Sequence, residues 1–339
     1  MPRKPRIQYP GAVYHAMSRG DRGRPIFKDD LDREMFLADM DKVCERTGWR
    51  IHAYVLMPNH WHWLLETPEG NLVDGMKWFL GTYSQQFNAR HGERGHVFQG
   101  RYKAVVVQTD SGNYFETVST YIHLNPAKAG LLTDENPELQ SYCWSSLPQY
   151  LKARQKRPPW LVTDRVLGNL ALKDSSRGRS EYREYLQGRM GELRTKAGRR
   201  EYNALWKPIR HHWYAGSEEF GESLLKHVAK TVSGKQRSSY SGEAVQAHDR
   251  AEAEQLIVRG MKALEVTEDA LSEWSKGDIR KCALAWLAHS RTMAGHAWIA
   301  ERLVMGAPSN MTTYIDRIRN AQSKAILRIQ NRLKRTIRK

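Results

Sequence analysis

The sequence predicts an α+β fold: a ferredoxin-like antiparallel sheet with helices on one face, followed by a mostly α-helical C-terminal domain. Three observations carry this prediction. Up to about residue 124 the apolar pattern alternates between period two and period 3.6, in the order strand, helix, strand, strand, helix, strand, helix. A turn signal, Pro58-Asn59, separates two adjacent apolar runs. From residue 249 onward the chain reads as helix almost throughout.

In order, residues 11–17 read as a strand, followed by a Gly/Arg-rich loop from Ser18 to Pro25. Residues 30–47 set Leu31, Met35, Phe36, Met40 and Val43 at helical spacing. Residues 50–57 and 60–66 are strands joined by the Pro58-Asn59 turn. Asn71 to His91 is a second helix, with Leu72, Met76, Phe79, Leu80, Tyr83 and Phe87 along one side. Residues 97–108 hold another strand and residues 111–124 another helix. The first domain is expected to span 1–150. A basic connector with helical pieces follows over 151–242, its last stretch, 232–242, reading as a flexible linker. The helical domain occupies 243–339. Within it, Trp298 to Ile315 reads as a helix-turn-helix with Ile299, Leu303, Met311 and Ile315 inside. Its second helix runs on into Arg317, Arg319, Lys324 and Arg328.

Charge narrows the function. The chain has 54 Lys+Arg against 37 Asp+Glu, a net charge of +17, and such a field attracts polyanions, above all nucleic acid. No apolar run approaches the ~20 residues of a membrane span, and the basic N-terminus lacks the apolar core of a secretory signal. Cys44, Cys143 and Cys282 are far apart and form no metal-binding pair, which fits buried or half-buried thiols in a reducing cytoplasm. Trp49, Trp63 and Trp78 are expected in the core.

The chemistry centres on His60-Trp61-His62. Residues two apart on a strand share a face, so both imidazoles project from one side and form a divalent-metal site lacking a third ligand. Downstream, Tyr121 and Asn125 are four apart and share a helix face. The Asn125 amide oxygen is then a candidate third ligand, with Tyr121 aimed at the same centre. Pro126 biases Asn125 away from helical geometry, so the helix is expected to end there; His123 is the alternative ligand. Tyr114 and Tyr102 compete with Tyr121 as nucleophile.

The blocks Met57-Pro-Asn-His-Trp-His62, Gly95-His-Val-Phe-Gln-Gly-Arg-Tyr-Lys103 and Tyr121-Ile-His-Leu-Asn-Pro-Ala-Lys-Ala-Gly130 resemble the single-tyrosine HUH transposases. Within them the chain is most similar to the REP-associated tyrosine transposases, over roughly residues 8–150. The resemblance implies a metal-dependent single-stranded DNA endonuclease and strand transferase acting on hairpin DNA through a 5′-phosphotyrosine. It implies Tyr121 as nucleophile and Mg²⁺ or Mn²⁺ on His60, His62 and Asn125. Because ligating imidazoles are neutral, activity is expected to fall as pH drops through roughly 6.

The basic arm Arg3, Lys4 and Arg6, the loop residues Arg19 and Arg22, the strand-flanking Arg101 and Lys103, and Arg317 and Arg319 are the expected DNA contacts. The alternative is a domesticated sequence-specific DNA-binding protein or regulator with little catalysis. A relaxase layout is disfavoured because the tyrosine lies downstream of the histidine pair, and no GxxxxGK[ST] run indicates a fused ATPase. Expected partners are single-stranded and hairpin DNA and no membrane. The protein is expected to act as a monomer or homodimer in the bacterial cytoplasm, associated with the nucleoid.

Overall fold

The computed structural model describes residues 5–133, 135, 137–233 and 240–337. The chain forms two compact units, one within Arg6–His227 and one within Val228–Lys339.

The first unit is built on β1 (Ala12–Arg19), α1 (Asp30–Thr47), β2 (Arg50–Met57), β3 (His60–Thr67), α2 (Leu72–His91), β4 (Lys103–Val107) and α3 (Tyr114–Lys128). The order of types matches the periodicity of the sequence. Asp29 caps α1 by accepting from the Asp32 amide at 3.1 Å, and Gly48 ends it in the left-handed conformation, φ 69°. Leu31, expected on the apolar face of α1, stands in solvent at 48% exposure, because the core is met one turn later by Phe36. Sheet order is β2-β3-β1-β4-β5, antiparallel except where the two-residue β5 (Tyr214–Ala215) joins β4 in parallel.

Helices α1 and α2 cover one face, where Trp61 and Trp63 meet Phe36 and Phe79 in a dry aromatic layer. Trp49 is buried there too, so close to Gly75 that an added Cβ would lie 2.1 Å from its ring. Trp78, by contrast, is only half-buried, under the Arg46 guanidinium at 4.9 Å. Its place on α2 turns it to the flank of the layer.

Helix α3 lies over the opposite face, beyond the one-face expectation. Every residue from Val118 to Pro126 is buried, and a helix buried all round needs neighbours on all sides. The sheet supplies one side, and α5 (Asp164–Asn169) and α6 (Ser176–Glu192), which follow the short α4 (Leu147–Tyr150), supply another. The helix does not end at Asn125 but passes through Pro126 to Lys128; tertiary burial outweighs the one hydrogen bond that proline removes. Residues 151–227, expected as a connector, lie in this same compact unit. Ile51 exchanges backbone hydrogen bonds with the chain at Trp160 and Val162, and the buried Arg157 fork pairs with Asp174 and caps the Tyr150 and Lys152 carbonyls. This segment also carries α7 (Lys196–His211), β5 and α8 (Glu218–Val232), in which the unit ends.

The second unit holds α9 (Glu243–Leu264), α10 (Glu268–Glu273), α11 (Ile279–Arg291), α12 (His296–Arg302), α13 (Met311–Arg319) and α14 (Lys324–Ile337). Ile299, Leu303, Met311 and Ile315 are all buried in its core. The fully buried Lys281 donates to the carbonyls of Leu271 and Val304 at 2.8 and 2.7 Å, tying two helix ends together. The expected run-on of the second helix stops at Arg319, with a break before α14. The 232–242 linker has residues 234–239 outside the described residues.

Candidate active site

Strand register decides which side chains converge. Met57 pairs with His60 across the tight Pro58-Asn59 turn, and on the other side of β3 Arg19 pairs with His60 and Met17 with His62. Met17 also pairs with Lys103 of β4. Facing residues share a side of the sheet, so His60, His62, Arg19, Met17 and Lys103 point one way and the Trp61 and Trp63 indoles the other. They line a cleft of about 520 Å³ together with Asn59, Gln99 and Arg101.

The His60 ring is oriented by its own turn. Its Nδ1 lies 2.7 Å from Asn59 Oδ1, which can only accept, so His60 Nδ1 carries the proton and Nε2 the lone pair. Asn59 is itself held: its Nδ2 donates to the Gly23 carbonyl at 3.1 Å. Burial, with the Arg19 charge second, lowers the His60 pKa to about 4. The imidazole therefore remains neutral well below the pH of roughly 6 expected from an unperturbed histidine; desolvation moves that limit down. On the other ring, His62 Nδ1 lies 2.9 Å from Nε2 of His15 on β1.

Tyr121 reaches this cluster from α3. Its ring centroid is 5.4 Å from that of His62, edge to face, and 6.0 Å from that of His15. One turn on, Asn125 is buried and its Nδ2 donates to the Tyr121 carbonyl at 3.3 Å, which leaves Oδ1 as its side-chain acceptor. His123 is excluded as a ligand. Both its nitrogens are engaged, with Tyr182 Oη at 2.8 Å and Ser146 Oγ at 2.7 Å, and burial lowers its pKa to about 3. Imidazole nitrogens and an amide oxygen are donor types that suit a divalent cation of intermediate hardness. Among the described residues, His248, Asp249 and Glu252 on α9 could also hold an ion, but they belong to the helical unit and pair with one another at 3.8 Å.

Tyr121 is covered. The Trp206 indole of α7 stacks on it with ring centroids 3.6 Å apart and planes at 13°, and Tyr202 stacks at 6.1 Å. Only 7% of Tyr121 is exposed. Neither aromatic carries a local sequence signal: they sit in a basic stretch some eighty residues downstream. Of the competing tyrosines, Tyr102 is buried beneath the Arg6 guanidinium at 4.2 Å, and Tyr114 stands at the start of α3, two turns from Tyr121.

The expected DNA contacts separate into groups. Arg19, Arg101 and Lys103 line the cleft with the histidines. Arg22 is exposed beside it in a left-handed turn, φ 53°, and is loosely paired with Asp21 at 3.9 Å. Arg6 is committed to Tyr102, stacking on its ring and donating to its carbonyl. Arg3 and Lys4 lie outside the described residues. In the helical unit Arg317 donates to the Gly277 carbonyl at 3.1 Å, and Arg319 pairs with Asp316 at 2.6 Å. Cys44 and Cys282 are buried, but Cys143, in the loop after α3, is exposed, contrary to the expected burial. No described helix is long and apolar enough to cross a membrane.

Comparison with known proteins bears on the sheet unit. Residues 8–125, about a third of the chain, match the family described as "Transposase IS200 like". A solved structure of a REP-associated tyrosine transposase bound to a REP hairpin is similar at 20% identity, over 48% of this chain and 93% of the other, with a TM-score of 0.37. No curated protein matches the chain.

Proposed function

We propose, from the membership of residues 8–125 in the IS200-like transposase family, that this chain cuts and rejoins single-stranded DNA in a transposition-related reaction, with Tyr121 as the nucleophile. The observation that carries the reading is the convergence of Tyr121 with His62 at 5.4 Å, beside a cleft where His60 and His62 meet Arg19, Arg101 and Lys103. A site built only to grip DNA has no use for two imidazoles placed next to a tyrosine ring.

His60, His62 and Asn125 would hold Mg²⁺ or Mn²⁺, which when bound polarises the scissile phosphate and offsets its charge. Arg19, Arg101 and Lys103 bind the phosphates on either side and orient the strand. Tyr121 Oη attacks phosphorus, forming the Oη–P bond as the P–O3′ bond breaks. The phenolic proton is lost and the departing 3′ oxygen gains one, leaving a free 3′-OH and a 5′-phosphotyrosine. The ester keeps the bond energy of the cut strand, so attack by another 3′-OH regenerates the phenol and reseals DNA. Because Tyr121, His60, His62 and Asn125 come from one chain, a monomer suffices for this chemistry. Hairpin substrates are the proposed class, on the strength of the motif blocks that resemble the REP-associated group.

Wild type and Tyr121→Phe, incubated with labelled single-stranded hairpins and Mn²⁺ and run on a denaturing gel, test the reading. A covalent protein–DNA band in wild type alone supports it. Cleavage that survives in Tyr121→Phe overturns the nucleophile. Tight binding without cleavage by wild type, across hairpins with varied flanks, replaces the enzyme with a DNA-binding regulator.

A further inference from the structure

Beside the site the sheet holds a buried imidazole that the proposed chemistry does not use. His15, in the middle of β1, is 1% exposed, and its Nε2 lies 2.9 Å from His62 Nδ1. The two rings stack at 5.0 Å. Among the described residues His15 Nδ1 has no partner, so the bond to His62 is the ring's one polar tie. A buried imidazole surrounded by the Tyr121 and Trp206 rings is costly to keep for packing alone, since a phenyl or an aliphatic group would fill the same space without a polar atom to desolvate.

The two metal-facing histidines have matching arrangements. Asn59 Oδ1 receives the His60 Nδ1 proton and thereby fixes both the angle of that ring and the position of its lone pair. We infer that His15 does for His62 what Asn59 does for His60: its Nε2 accepts the His62 Nδ1 proton, locks the ring in place, and puts the His62 lone pair on Nε2 as the cation-coordinating atom. His15 then keeps its own proton on Nδ1. It is a positioning residue, touching neither cation nor DNA. The inference rests on the proposed cation site at His60 and His62, and goes beyond it by assigning the residue that orients one ligand. A partner behind a ligating histidine typically changes metal affinity by ~10- to 100-fold.

The test uses the full chain and Mn²⁺ alone, with free Mn²⁺ followed by electron paramagnetic resonance. Wild type is compared with His15→Phe, which keeps a ring in the stack without a nitrogen, and with His15→Gln, which restores an acceptor. The expected result is Mn²⁺ binding weakened ~10-fold or more in His15→Phe and largely recovered in His15→Gln. A His15→Phe protein that binds within threefold of wild type overturns the inference while leaving the cation site standing. Failure of wild type itself to bind Mn²⁺ overturns the site, and the inference with it. Should His15→Phe not fold, ¹⁵N-histidine spectra of wild type decide alone. A His62 proton on Nδ1 is the expected result, and one on Nε2 refutes the assignment.

Discussion

The two faces of the β1–β3 pair are made from the same few residues and behave as different materials. On one side Trp61 and Trp63 pack against Phe36 and Phe79, all four fully buried. On the other side His15, His60, His62 and Tyr121 form a polar cluster at the edge of a cleft lined by Arg19, Arg101 and Lys103. The aromatic face stabilises, and its rigidity holds the polar face in a geometry that the polar groups would not adopt by themselves. Burying neutral imidazoles costs stability, and the indole layer behind them supplies it.

The largest effect that would break this division is on stability. Trp63→Ala should cost about 3–5 kcal/mol in urea unfolding of the sheet unit, because it empties the centre of the aromatic layer. His60→Ala should change stability by no more than ~1 kcal/mol, since the ring lies at the cleft edge and makes one local hydrogen bond. In the covalent-complex assay the order reverses: His60→Ala should lose on the order of 10³-fold in rate. Comparable unfolding midpoints for the two variants would erase the contrast between the faces.

A second effect, intermediate in size, is acid lability. His123 is folded as a neutral ring with a pKa lowered by burial to about 3, while in the unfolded chain it titrates near ~6.5. Above pH ~6.5 both states are neutral and the residue makes stability no more pH-dependent. Below it the unfolded chain takes up a proton that the folded one refuses. Stability therefore falls as pH drops toward 3, by roughly 1.4 kcal/mol per pH unit for this ring. His123→Gln should flatten that slope between pH 6 and 4 in pH-resolved denaturant titrations; an unchanged slope would place the loss elsewhere.

The smallest effect concerns access. In the proposed reaction a phosphate must reach Tyr121, which is 7% exposed and stacked under Trp206. Trp206→Ala should raise the initial rate of covalent-complex formation a few-fold, about 1 kcal/mol in the barrier. A slower variant would instead make the indole part of the DNA-binding surface.

Much of this was legible in the sequence. The period of the apolar residues places β1, α1, β2, β3, α2, β4 and α3, and the alternation of His60-Trp61-His62-Trp63 assigns a face to each side chain before any coordinates are known. What escaped has specific causes. Pro126 reads as a helix end because local backbone preference is visible in sequence, whereas the burial that overrides it comes from α6, more than fifty residues away. β5 is two residues long and shows no periodicity at all. Trp206 lies in a stretch where basic residues dominate, so its stack on Tyr121 is set by tertiary packing alone. His15 was within reach: counting alternate residues from Arg19 back through Met17 puts it on the histidine face once β1 is known to pair with β3.

The strict alternation of imidazole and indole along β3 also makes the Pro58-Asn59 turn a kind of reading frame. A one-residue slip of β3 against its neighbours would turn the whole strand over: indoles would project into the cleft and imidazoles into the aromatic layer. Stability and chemistry would be lost in the same step. A change of length at this turn is therefore compatible with the fold only where a longer turn or a bulge keeps the register of β3.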